Sequence, residues 1–439
     1  MHPMLRFAPA ALLVLCVVSI GRAADSAHTN FVLIMVDDFG YECVGANGST
    51  SYETPRLDEL ARTGMRFEHC HVQPLCTPTR VQLMTGLYND RNYIRFGILD
   101  PDAVTFGHLL QKAGYKTGIA GKWQLLGGYD GPNHFGFDEY CLWQLNRRPS
   151  RFANPGLEIN GIRANFHNGE YGPDLVNAYA REFVSRHKDE PFCLYYPMML
   201  THGPYDPTPD SADYDPNGTE GSGSKGKSKA VQQRHFADMV AYTDKLVGKL
   251  VDRLEELGLR ERTLVMFIGD NGTGRGIVSR MGDRVVHGGK RSMKDTGTHV
   301  PMIVNQPGTV PAGVVSQDLV DSTDFLPTML DIAGCELPSG IPIDGRSFAP
   351  QLRGETGSPR EWIYCWFERE GRPEQAEVTV RNQRYKLYRD GRFFDVAADP
   401  DEEHPLDLAA LDDAGKGTRA EFQRVLDERA VEVTPVNAR

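Results

Sequence analysis

Two uninterrupted apolar runs constrain this chain most. Phe31 to Val36 and Leu264 to Ile268 contain no polar side chain. A strand with one wet face alternates between apolar and polar residues, whereas a strand without alternation is covered on both faces. Such strands belong in a largely parallel sheet between layers of helices. Both runs also end alike. The first leads into Asp37-Asp38, the second into Gly269-Asp270-Asn271-Gly272. In open α/β sheets, sites form at the carboxyl ends of strands. Three carboxylates and an amide, with no clustered Cys or His ligands, suit a hard cation such as Ca²⁺ or Mg²⁺ rather than zinc. Asp and Asn also cap turns routinely, so either pair alone would read as turn chemistry. Two pairs on two such strands shift the balance towards a metal.

Between these tips in sequence lies Leu75-Cys76-Thr77-Pro78-Thr79-Arg80, followed by Leu83-Met84-Thr85-Gly86. Thr77 is expected to cap a helix with Pro78 in its first turn and Gly86 as its stop. Cys76 then sits just ahead of a helix start, where backbone N–H groups and the helix dipole favour an anion. Arg80, one turn on, can reach back over the same spot. A reactive sulfur, an anion pocket and a fixed cation point to chemistry on a negatively charged ester. The plainer alternative is a buried or disulfide-bonded cysteine before an ordinary helix.

The remaining chain alternates strand and helix. A helix is expected from Thr54-Pro55 to Gly64, and another over Thr105 to Ala113. Lys116 to Ala120 reads as a strand leading into Gly121-Lys122-Trp123-Gln124. Phe192 to Leu200 is strand-like and ends in Thr201-His202-Gly203-Pro204. Residues 215 to 229, rich in Gly, Ser and Lys, read as a mobile surface loop near a substrate mouth. Gln233 to Leu257 has helical spacing, Val300 to Val304 is a strand after a Gly-rich loop bearing Lys290, and Asp324 to Ile332 is a helix. Near residue 355 the pattern changes to short strands at close spacing, then a helix near Ala420 to Ala430. The prediction is a three-layer α/β/α sandwich with a large, mostly parallel sheet over residues 28–355. A small C-terminal antiparallel subdomain follows over 356–439.

The formal net charge of −11 argues against a nucleic-acid partner. Arg6, the apolar Ala10 to Ile20 and the small residues around Ala23 read as a signal peptide over 1–23. An uncleaved anchor is the alternative, although the run is short for a span. No later run is long and apolar enough for one. The chain is therefore expected to be exported, periplasmic or secreted. Outside the leader, the cysteines show no paired spacing of a disulfide framework or zinc site.

Cys76-x-Pro78-x-Arg80 with Thr85-Gly86 resembles the signature of the type I sulfatases, in the alkaline phosphatase superfamily. Asp37-Asp38, Gly121-Lys122-Trp123, Thr201-His202-Gly203-Pro204, Asp270-Asn271-Gly272 and Gly288-Gly289-Lys290 resemble further motifs of that family. The resemblance implies that a maturation enzyme, formylglycine-generating or anaerobic, oxidises Cys76 to formylglycine. It implies one divalent ion, usually calcium, on Asp37, Asp38, Asp270, Asn271 and residue 76. Lys122, His202 and Lys290 would grip the sulfate and serve the leaving group, and Arg80 and Lys122 would stabilise the charge and hold residue 76 in place. The implied activity is hydrolysis of a sulfate ester, with a small or polymeric sulfated carbohydrate as substrate. One residue departs from the pattern. Many members carry Gly-Lys-Trp-His, and here the fourth residue is Gln124, whose amide cannot take a proton at neutral pH. Gln124 keeps a positioning role, and His202 and His287 remain as proton carriers. Two alternatives stay open: a formylglycine-dependent phosphodiesterase or phosphonate monoester hydrolase, and a low-activity relative that binds sulfated glycan.

Overall fold

β1 (Asn30–Val36) is buried at every position. Its side chains feed two separate cores. Phe31, Leu33 and Met35 enter one, and Val32, Ile34 and Val36 enter the other. That division requires packing layers on both faces of the strand, as the unbroken apolar run demands. The computed structural model describes residues 28–337 and 339–432. The expected signal peptide over 1–23 lies outside the described residues.

In chain order, the next strands are β2 (Met65–His71), β3 (Lys116–Lys122), β4 (Glu139–Trp143), β5 (Gly156–Ile159), β6 (Ile162–Asn165), β7 (Phe192–Pro197) and β8 (Thr263–Gly269). β9 (Val278–Met281) and β10 (Arg284–His287) form a hairpin of their own. β11 (Met302–Asn305) and β12 (Val314–Asp321) complete a ten-stranded sheet, ordered β12-β2-β11-β8-β1-β7-β3-β4-β5-β6. β8, β1, β7, β3 and β4 are parallel neighbours. β11, expected as one more strand of this set, runs antiparallel to both β8 and β2. β5 likewise opposes β4. The sheet is therefore mixed at its flanks and parallel at its centre. The central order sets the carboxyl ends of β8, β1, β7 and β3 side by side.

A second sheet is antiparallel: β13 (Ile363–Phe367), β14 (Glu377–Arg381), β15 (Tyr385–Tyr388) and β16 (Phe393–Asp395). The helix Asp413–Glu432 packs on β14 and β15. Val380, Leu387 and Phe422 belong to the same core as Phe31 and Met84, so the small sheet shares the interior of the large one. Buried charge pairs cross the same junction. Arg429 Nε donates to Asp90 Oδ2 at 2.9 Å, and Arg360 Nε donates to Asp324 Oδ2 at 2.7 Å.

The helix Pro55–Thr63 takes its cap from a distant part of the chain. Thr54 makes no cap hydrogen bond to the helix Pro55–Thr63. Asp244, on the long helix Lys229–Glu256, accepts instead from the N–H groups of Arg56 and Leu57 at 3.1 and 2.8 Å. A carboxylate brought by tertiary packing thus meets the positive helix end. The strand expected over Phe192 to Leu200 stops at Pro197. Segment 215–229, expected to be mobile, is a series of turns held by Asp206, which accepts from Gly221 N–H at 2.6 Å, and by Asn154, which donates to Pro216 O at 3.0 Å. All seven described cysteines are free thiols. Among the described residues no helix is long and apolar enough to cross a membrane.

Two stability predictions follow from these contacts. Arg429→Met leaves Asp90 buried without its cation and is expected to cost about 3–5 kcal/mol in urea unfolding. Adding Asp90→Asn should recover most of that loss. The second concerns His299, which stacks between Tyr41 at 4.1 Å and His71 at 4.8 Å and donates from Nε2 to Glu68 O at 2.7 Å. Burial pushes this imidazole down to about 4, against the opposing pull of Asp295. The unfolded chain therefore binds the proton more readily than the fold does. The stability this provides is complete above the ordinary histidine range and is lost as pH falls from about 6.5 towards 4. In unfolding titrations, His299→Gln should flatten that acid slope by about 1–2 kcal/mol.

Candidate active site

The tips of β1 and β8 interlock. Asp38 takes a positive φ of 60°, which Asp tolerates better than most residues. Its N–H donates to Asp270 Oδ1 at 3.0 Å, and Asp270 N–H donates to Val36 O at 2.9 Å. Asn271 Nδ2 donates to Asp38 Oδ1 at 2.9 Å. All four tip residues are buried. Below them, Thr201 Oγ1 donates to the carbonyls of Asp37 and Asp38 at 3.3 and 3.1 Å.

Three cations meet the three carboxylates. Lys122, the last residue of β3, donates to Asp37 Oδ2 at 2.8 Å. Arg80 donates to Asp270 Oδ2 at 3.0 Å and to Lys122 O at 2.9 Å. Lys290 spans both oxygens of Asp38, at 2.6 and 2.7 Å. Lys122 reaches this place because Gly121 lets β3 press on β7. A Cβ there would lie 1.8 Å from Pro197 O, and its φ of 134° suits only glycine.

Cys76 opens the helix Cys76–Thr85, and Leu75 is the N-cap. The expected cap by Thr77 is not made. Thr77 lies inside the first turn, and its hydroxyl accepts from Gly97 N–H at 3.2 Å instead. Gly86 ends the helix with a φ of 69°, as expected. The Cys76 sulfur and carboxylate oxygens of Asp37 and Asp270 all lie within 4.8 Å of one another. Asp37, Asp38 and His202 form a second such group, with His202 Nε2 at 3.9 Å from Asp38 Oδ2.

The charges pull these groups apart. Burial alone would raise the Asp37 carboxyl, but the Lys122 ammonium, with His202, Lys290 and Arg80, holds it well below the usual carboxylate range. Burial, reinforced by the charge on Asp37, pushes Asp270 up to about 7. Burial lowers His202 to about 4, against the pull of Asp38 and Asp37. Burial also raises the Cys76 thiol, which makes the unmodified side chain a poor nucleophile.

The residues fit a divalent cation. Asp37 Oδ1 and Asn271 Oδ1 are buried without a hydrogen-bond partner. Buried polar atoms are seldom left so, and two bare oxygens beside a carboxylate suit a hard ion.

Comparison with known proteins decides the family. The sulfatase family model matches residues 29–335, and the model for the N-sulphoglucosamine sulphohydrolase C-terminal region matches 286–422. The chain is 31% identical to arylsulfatase A of Bos taurus over 422 residues, covering 86% of this chain and 78% of that one. It is 31% identical to N-acetylgalactosamine-6-sulfatase of Canis lupus familiaris, covering 80% of this chain and 71% of that one. The chain belongs to the sulfatase family. It is a sulfuric ester hydrolase. The solved structure of Ps i-CgsB superimposes on this sulfatase with a TM-score of 0.78 at 26% identity, covering 93% and 94% of the two chains.

Gln124 and His287 fall in different places. Gln124 has a positive φ of 58°, and its side-chain Oε1 is buried without a partner. His287 is exposed at the end of β10, and no hydrogen bond joins it to the acidic cluster. Thr201 was quoted only as part of the His202 motif, and Thr273 was not singled out from sequence. Thr273 Oγ1 accepts from Gly40 N–H at 3.1 Å, just beyond the β1 tip. The packing at Gly121 generates a test for this sulfatase. Gly121→Ala should lower stability by about 3 kcal/mol or more in chemical unfolding, through both clash and strain.

Proposed function

We propose that this sulfatase removes sulfate from a sulfated carbohydrate, using formylglycine at position 76 and one divalent cation, calcium or magnesium. Asp37, Asp38, Asp270 and Asn271 would hold the cation with residue 76. The observation that carries the proposal is the meeting of Asp37, Asp270 and Cys76 within 4.8 Å, beside two bare buried oxygens. When bound, the two groups supply a Lewis acid that polarises ester oxygens and a hydrated aldehyde as nucleophile.

The chain's own residues do the rest. Three basic side chains already balance the three carboxylates, so a divalent cation leaves the cluster positive and receptive to an anionic ester. Arg80 and Lys122 fix the position of residue 76 and stabilise negative charge on the sulfate. Lys290 and His202 stand on the Asp38 side, where Lys290 can grip sulfate oxygens and protonate the leaving alcohol and His202 can carry a proton. Gln124 offers an amide for positioning. The carbohydrate assignment is supported by the relatives' names. They include N-acetylgalactosamine-6-sulfatase, the N-acetylglucosamine-6-O-sulfatase of Bacteroides thetaiotaomicron, and Ps i-CgsB in complex with k-i-k-neocarrahexaose. The leader over 1–23 supports export, and a formylglycine-forming maturation enzyme is the implied partner.

The test uses sulfate and phosphate esters of one chromogenic alcohol, then a panel of sulfated sugars. Hydrolysis should favour sulfate, and Cys76→Ala should lower it on the order of 10⁴-fold or more. A preference for phosphate, or an unimpaired Cys76→Ala variant, would overturn the proposal. Calcium at about 100 times its Kd should add about 2.7 kcal/mol of stability to the chelator-stripped protein, and Asp270→Ala should remove that gain.

A further inference from the structure

Arg151 is among the most deeply buried cations of the molecule, at 1% exposure, yet no motif contains it. It follows β4 and lies over the ring of Trp143, 4.4 Å from its centroid. Trp143 is in turn the β4 residue that pairs with Lys122. Arg151 is gripped twice by Glu220, through its backbone N–H and through Nε, each at 3.0 Å. Glu220 comes from the Gly- and Ser-rich segment after residue 215, whose purpose is otherwise unexplained. Of the two ends of the fork, Nη2 donates to Gly203 O at 3.1 Å, while Nη1 is buried without a hydrogen-bond partner. His202 Nδ1 meets the same carbonyl oxygen at 2.6 Å.

That shared acceptor has a chemical consequence. A carbonyl oxygen only accepts, so Nδ1 must carry the hydrogen on the neutral ring. Nε2 is then the bare nitrogen, and it points to the Asp38 side. At 3.9 Å from Asp38 Oδ2, it is not committed to a hydrogen bond there. With glutamine at position 124, His202 is the imidazole that stands at the acidic cluster. Its orientation therefore matters more here than where a second imidazole is present.

We propose that Arg151 and Glu220 act as positioning residues: their ion pair fixes the Gly203 carbonyl, which holds His202 in the Nδ1–H form with Nε2 facing the reacting ester. The Gly- and Ser-rich segment exists in this scheme to deliver Glu220. The catalytic part of the proposal rests on the sulfatase reading above, whereas the orientation of His202 does not.

Two measurements test it on the full chain. Proton–nitrogen correlation NMR of the histidine rings, with His202→Asn to assign the signal, should show one Nδ1–H tautomer in the wild type. Glu220→Gln and Arg151→Met should give a mixture of tautomers. Steady-state kinetics on the chromogenic sulfate ester should show kcat lowered about 10–100-fold in both variants, with KM changed less than about twofold. Arg151→Lys, which keeps the charge but not the fork, should recover part of kcat. An unchanged Nδ1–H signal in the variants overturns the proposal. A loss confined to KM also overturns it, because Arg151 would then be acting on substrate. Should Arg151→Met fail to fold, Glu220→Gln carries both measurements. If the wild type hydrolyses no sulfate ester, the functional reading fails while the NMR result still decides the orientation.

Discussion

Asp37, Asp38 and Asp270 stand shoulder to shoulder in a buried space because Lys122, Lys290 and Arg80 stand opposite them. Three unpaired carboxylates at that depth would repel one another strongly and would shed charge by taking up protons. The ion pairs make the arrangement tolerable, and the sheet makes the ion pairs possible. β1 and β8 are neighbours, so their acidic tips meet by register. β3 sits two places from β1 and contributes Lys122 from its last residue. Arg80 enters from a helix and Lys290 from a loop, which gives the cluster basic partners from three separate parts of the chain.

Much of this was legible in the sequence because it lies at ends of elements. The tips of β1 and β8 follow unbroken apolar runs, and Lys122 follows a short apolar strand closed by glycine. Cys76 and Arg80 sit one helical turn apart before a glycine stop. What was not legible depends on the third dimension. β2 reads Met-Arg-Phe-Glu-His-Cys-His, a mixed pattern, and becomes a strand by pairing with β11 and β12. The reversal of β11 leaves no mark on its composition. Thr77 follows the rule for a helix cap, but the helix starts one residue before it. Arg151 and Glu220 lie 69 residues apart, and nothing local announces that they meet.

The small sheet adds a different kind of constraint. Its side chains complete the core that β1 begins, and Arg429 and Arg360 tie it to the segments flanking the Cys76 helix. Substitutions far from the acidic cluster can therefore disturb it through shared packing rather than through contact. The helix that opens at Cys76 also ends at a junction, because Asp344 N–H donates to Gly86 O at 2.9 Å.

The ion pairs around the acidic tips also bear on how the molecule comes into being. Each carboxylate has a basic side chain of its own as counterion, encoded in the same polypeptide. Charge balance at the tips is thus fixed by the register of the chain's own strands rather than by anything added later.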